Sequence, residues 1–252
     1  MTIPPLAGVC SYEAAASQGY GVDETVDRLV RYAWISKRIM EAALYWLNPT
    51  PEWEVKEALS LHSYLAADHA RMFRVRVSEM RNPPPNMNIT PDEALDRLFD
   101  ELLAARTTVE KVVGLYGVIK PALLVAYREH HAHANPLVDH PTRRILAQLV
   151  TEEAEAVEWG QAAIAALTAA PEARAEADAF RAHLEAYLAA AGGVVGDETL
   201  ASELPAPRAQ KPYVPDFFPR RDERFVQQWN FVFPPHEVAR TDGVPADEKV
   251  LA

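Results

Sequence analysis

Cysteine is almost missing from this chain: of 252 residues only Cys10 is one. An intramolecular disulfide is impossible and a cysteine-based metal site is excluded, as in cytoplasmic proteins. Basic residues are also in short supply, 25 Lys and Arg against 36 Asp and Glu, for a net charge of −11. Nucleic acids and anionic membrane surfaces both demand a basic footprint, so neither is an expected partner. No segment reaches the roughly 18 apolar residues of a membrane span. The first stretch, MTIPPLAGVCSYEAAASQGYG, has neither a basic leader nor a long apolar run. The expectation is a soluble, cytoplasmic protein.

Alternation at period two is absent before residue 192, so no sheet is expected. What is present is helical periodicity in a chain that is 49% hydrophobic, enough to bury a sizeable core. Residues 1–22 read as an irregular arm and residues 23–192 as a helical-bundle domain. A first helix starts near Asp23, a good N-cap, carries Val26, Leu29, Val30, Ala33, Met40 and Leu44 on one side, and ends near Asn48. Thr50-Pro51-Glu52 opens a second helix that runs to about Arg81, antiparallel to the first because the connection is short. Thr90-Pro91-Asp92-Glu93 repeats the start signal, with Glu93 completing a capping box. Helical pattern continues to Ala134, interrupted at Arg106-Thr107-Thr108 and kinked at Pro121. A fourth helix covers Pro141 to Thr168, and a fifth opens at Pro171 and stops at Gly192-Gly193. The fold class is all-α, an antiparallel bundle with an extra helix.

Residues 193–252 interleave Pro205, Pro207, Pro212, Pro215, Pro219, Pro234 and Pro235 with Tyr213, Phe217, Phe218, Phe225, Trp229, Phe231 and Phe233. So many aromatics are unlike a disordered tail. They predict an extended arm that presses aromatic anchors into grooves of the bundle or of a partner subunit.

Polar residues on apolar stripes carry the functional reading. In the fourth helix Leu146, Leu149, Val150, Glu153, Val157 and Gly160 share one face, which aims the Glu153 carboxylate inward. An isolated buried carboxylate costs several kcal/mol, so it needs a cation, a metal, a hydrogen-bond network or a proton. In the second helix His62 and His69 stand two turns apart on the apolar side, with Phe73 one turn beyond. In the third, Tyr116, Lys120, Leu123 and Tyr127 share a face, which brings a lysine near the core. Glu41 lies one turn from Lys37, the spacing of an exposed ion pair. The run Glu129-His130-His131-Ala132-His133 offers metal-ligand spacing at His130 and His133, yet at a helix end it reads as a solvated cluster.

Two stretches, LAADHARMFRVRV at 65–77 and PLVDHPTRRILAQLVTEEAEAVEWG at 136–160, resemble the ferritin-like superfamily over roughly residues 23–170. In that superfamily a Glu from each of two helices and a Glu-x-x-His from each of two others bind two iron or manganese ions. The resemblance implies that Glu153 matches a ligand carboxylate and His69 a ligand imidazole. Their partners three residues away are Ala156 and Ala66, so each motif keeps a different half. Counting equal rise from the turns, the first-helix ligand level falls at Ala33 and the third-helix level at Lys120.

The implied protein has lost its dinuclear metal and acts on a small molecule through His69, Glu153 and Lys120. His62, Tyr116, Tyr127 and Phe73 are the expected substrate wall. No cofactor is expected. One alternative is an oxidoreductase with iron or manganese held by Glu41, His62, His69, Glu129 and Glu153. The other is a non-catalytic binding or scaffold protein. A homodimer is the expected assembly.

Overall fold

The structure, a computed structural model, describes residues 3–81, 83–196 and 206–225. Among them every regular element is helical: α1 (Tyr12–Ala16), α2 (Val22–Leu47), α3 (Trp53–Met80), α4 (Glu93–Leu103), α5 (Thr108–Val112), α6 (Lys120–His133), α7 (His140–Leu167) and α8 (Pro171–Ala190), with short 3-10 turns. A π-helical segment, Val113–Ile119, fuses α5 to α6 into one rod. No described helix is long and apolar enough to cross a membrane.

The stretch 1–22, expected to be irregular, contains among its described residues a 3-10 turn, Leu6–Gly8, and the helix α1, capped by Ser11, whose hydroxyl accepts from the Ala14 N–H at 3.1 Å. Local capping sufficed where no apolar periodicity existed to see. The cap positions differ from expectation too. Gly21 precedes α2, and Asp23 lies in the first turn. Thr50 is buried and α3 starts after Glu52, while Asp92, not Thr90, caps α4 by accepting from Leu95 N at 2.7 Å.

α2 is the axis of the core. Its buried residues, among them Leu29, Tyr32, Ala33, Trp34, Ile35, Ile39, Ala43 and Trp46, cover most of its circumference, as in a helix surrounded by others. Trp34 meets Phe99 of α4 edge-on at 5.4 Å, and Tyr32 meets Phe73 of α3 and Tyr127 of α6. This wide arc leaves Leu44, expected inside, 47% exposed. α3 packs along α2, α6 along α7, and α8 covers α4 and the π segment.

α8 ends where Gly192 and Gly193 adopt φ of +70° and +73°, conformations that glycine reaches without strain. The described part of the arm, 206–225, lies on its own chain. Arg208 N and Ala209 N donate to the buried Glu101 carboxylate, the Arg208 guanidinium covers the Phe180 ring, and Tyr213 stacks near Tyr45. Phe217 and Phe218, expected as anchors, are 64% and 72% exposed. Here polar caps and one tyrosine do the anchoring. Pro205, Trp229, Phe231, Phe233, Pro234 and Pro235 lie outside the described residues.

Candidate functional site

The π segment sets the site. Pro121 has no N–H, so the regular ladder cannot pass through it, and Lys120 N instead reaches back five residues to Leu115 O. The Tyr116 carbonyl accepts from Gln161 Nε2 of α7 at 3.4 Å. This stretch of rod is buried nearly all round, including Tyr116 at 0% and Lys120 at 1%. Lysines at helix edges usually reach back to water; Lys120 does not.

Glu153 of α7 receives it. Lys120 Nζ donates to Glu153 Oε1 at 3.0 Å and to Oε2 at 2.9 Å, with Glu153 also 1% exposed. His69 of α3, 1% exposed, stands on the other side with Nδ1 3.5 Å from Glu153 Oε1. Its Nε2 is 2.6 Å from Glu152 Oε2, and Gln148 Nε2 donates to Glu152 Oε1 at 2.9 Å. The side chain of Glu152 is 24% exposed, so a polar chain of Glu152, His69, Glu153 and Lys120 leads from the surface into the core. Burial alone pushes the Glu153 carboxyl up. The Lys120 ammonium and His69 outweigh it and hold it down at about 2.

One step along α3, His62 Nδ1 lies 2.7 Å from the Tyr116 hydroxyl. Trp159 of α7 packs edge-on against both rings, at 5.9 and 5.0 Å. Burial, helped by the nearby Lys120 charge, lowers His62 to about 4, so its imidazole is neutral at pH 7. Burial and the Glu153 charge raise the Tyr116 and Tyr127 phenols. Tyr116 therefore keeps its proton, and the hydrogen bond joins a neutral phenol to a neutral imidazole, with the His62 tautomer setting which of them donates. Gly160 makes this packing possible, because a Cβ there would sit 2.2 Å from Tyr116 Cβ.

The structure brings His69, Glu153 and Lys120 together and places His62 and Tyr116 beside them. Tyr127 is 3.5 Å from Ser36 Oγ, and Phe73 packs on the Tyr127 ring at 5.6 Å. Glu41 and Glu129 are elsewhere: Glu41 pairs with Lys37 and Arg38 at 3.7 and 3.0 Å, and Glu129 is exposed. The iron or manganese set of Glu41, His62, His69, Glu129 and Glu153 is therefore not assembled. The donor set does not fit a dinuclear metal. Ala66 and Ala156, three residues from His69 and Glu153 and each 2% exposed, offer no donor atom, and an ammonium faces the Glu153 carboxylate. Among the described residues no group of three or more His, Asp, Glu or Cys is placed to hold a metal ion. His130, expected in a solvated cluster, is fully buried between Tyr20 and Tyr32, because Tyr20 from the N-terminal stretch covers the end of α6.

Glu152, Gln148 and Trp159 escaped the sequence reading. The adjacent Glu152-Glu153 pair was the available signal: a helix turns about 100° per residue, so neighbours can approach one imidazole from two sides. No protein-family model, no curated protein and no solved structure matches the chain.

Proposed function

We propose that α2, α3, the Thr108–His133 rod and α7 form a ferritin-like antiparallel four-helix bundle whose dinuclear metal site has been replaced by a metal-free acid/base centre. The protein is then an enzyme acting on a small molecule, with a homodimer as its assembly. The observation that carries this reading is the Glu152–His69–Glu153–Lys120 chain. It places a proton-transferring imidazole between a partly exposed carboxylate and a buried, charge-paired one. Substrate approaches along the seam between α3 and α7, where Glu152 and Trp159 are partly exposed and His62 offers a neutral ring beside a protonated phenol. Lys120 keeps Glu153 ionised, the Glu153 carboxylate orients the His69 ring, His69 exchanges a proton at its Glu152 side, and the His62–Tyr116 pair binds and orients a polar group.

The test is consumption of a small molecule from a metabolite mixture, followed by mass spectrometry. Wild type is compared with Glu152→Gln and His69→Gln, which leave the buried Lys120–Glu153 pair intact. The expected result is a species consumed by wild type and by neither variant. Equal consumption by all three sinks the catalytic assignment.

A binding or scaffold role is the second reading. It is favoured by how completely the ion pair is buried, Lys120 and Glu153 each being only 1% exposed. That reading expects no species to be consumed, and Glu152→Gln to keep every interaction of the protein.

A further inference from the structure

Away from that centre, a polar groove of about 320 Å³ opens where the α2–α3 turn, the start of α5 and the arm meet. Lys111 forms its floor. The residue is 8% exposed, and among the described residues its ammonium makes one hydrogen bond, to the neutral Thr50 hydroxyl at 3.3 Å, and no ion pair. An ammonium has three protons to donate and is expensive to bury without a counter-charge. Burial accordingly pushes it below the usual lysine range.

Two more cations line the same groove. Arg106 is exposed and makes no side-chain ion pair among the described residues, and Arg220 stands opposite, its backbone fixed by Arg220 N donating to Asn48 O at 3.0 Å. Two carboxylates, Glu52 and Asp216, act on Lys111 through space without pairing with it. Glu52 accepts from the Thr108 hydroxyl at 2.7 Å, while Asp216 accepts from Arg220 at 3.1 Å and from Phe218 N at 2.9 Å. Lys56, also close enough to act on Lys111, donates to Asn48 O. In a chain of net charge −11, this is a local excess of positive charge.

We propose that the groove walled by Arg106, Lys111 and Arg220 is a binding site for a phosphate group, carried by a small metabolite or free in solution. Phosphate is favoured over carboxylate because cations approach from three separate elements. Three terminal oxygens can answer all of them, whereas a carboxylate has two. The site stands on the same rod as Lys120 but roughly 13 Å along it at about 1.5 Å per residue. It does not depend on the catalytic reading.

The experiment is a calorimetric and melting-temperature titration of the full chain with inorganic phosphate, glycerol 3-phosphate and citrate at neutral pH and low salt. The expected result is saturable binding of a phosphate species, roughly millimolar or tighter, weakened about tenfold or more by Lys111→Met and by Arg106→Gln. Tighter binding of the monoester assigns the site to a metabolite's phosphate handle, and equal binding to the free ion. Either supports the site. Lys111→Met removes an ammonium that has only a neutral partner, and should fold. If it does not, Arg106→Gln, on an exposed side chain, carries the test. No saturable binding of either phosphate species, unchanged binding in the variants, or citrate bound as tightly as phosphate would overturn the proposal.

Discussion

Lys120 and Glu153 share both carboxylate oxygens at 3.0 and 2.9 Å with each residue only 1% exposed, so neither charge can be removed alone without stranding the other. Glu153→Leu or Lys120→Met should each cost about 3–5 kcal/mol, chiefly the penalty of an uncompensated buried charge. The double variant Lys120→Met/Glu153→Leu removes both charges and keeps the volume. It should be much closer to wild type than the sum of the singles, with His69 still held by Glu152. Urea denaturation of the four proteins measures the coupling. Additive losses would show that the pair is not a unit.

Acid should act on the histidines before it reaches this pair. His62 and His130 are both held down at about 4, by burial first and then by Lys120 and Arg28 respectively. Between pH 6.5 and 4 the unfolded chain therefore binds protons that the folded chain refuses. The stability contributed is complete above pH 6.5 and is lost as pH falls through that window. Each histidine accounts for up to about 3 kcal/mol on the scale of 1.36 kcal/mol per pKa unit. Glu153, lowered instead of raised, adds its loss only between pH 4.5 and about 2. His130→Phe should flatten the loss from pH 7 to 4 by its share. It should also raise stability at pH 7, because both ring nitrogens of His130 lack a partner among the described residues. Chemical denaturation at three pH values reads both effects.

The long helices were legible because apolar periodicity and Pro, Asp and Gly punctuation agree at their ends. The start of α8 at Pro171 and the break before Thr108 both follow such signals. The meeting of His69, Lys120 and Glu153 followed from counting helical rise between turns, which survives the π segment. Contacts between sequence-distant polar groups were not legible. Nothing local announces that Glu101 receives His183 and two arm amides, or that Tyr20 buries His130. Periodicity also hid the wide buried arc of α2, because a stripe count assumes one packed side, and α2 has several.

Gly160 should tolerate nothing larger. Its missing Cβ leaves room for Tyr116, and the atoms that a methyl would strike are Tyr116 Cβ at 2.2 Å and Cγ at 2.6 Å. These lie at the root of the ring, where no rotamer change relieves the clash. Gly160→Ala should cost about 1–3 kcal/mol despite alanine's better helix propensity. It should also disturb the His62–Tyr116 hydrogen bond. Calorimetry gives the first effect, and a shift of the His62 titration in NMR spectra gives the second. An unchanged or higher melting temperature would show that α7 moves freely against the rod.

The arm is held by a buried carboxylate more than by its aromatics. Glu101, 2% exposed, accepts from His183 Nε2 at 2.6 Å, Arg208 N at 2.8 Å and Ala209 N at 3.1 Å. Glu101→Ala would leave those donors without an acceptor, at a cost of about 1–3 kcal/mol for each buried group left unpaired. The arm can escape much of that cost by detaching, so the signature is local. Hydrogen exchange at Arg208 and Ala209 should rise sharply, and proteolysis should begin within 206–225, while α2 and α7 stay protected. The exposed bidentate pair of Arg224 with Glu54, both contacts 2.7 Å, supplies the control. Glu54→Ala removes only a solvent-screened surface pair and should leave the melting temperature almost unchanged. If Glu54→Ala frees the arm and Glu101→Ala does not, the arm is anchored at its far end, and the Glu101 carboxylate serves only α8 through His183.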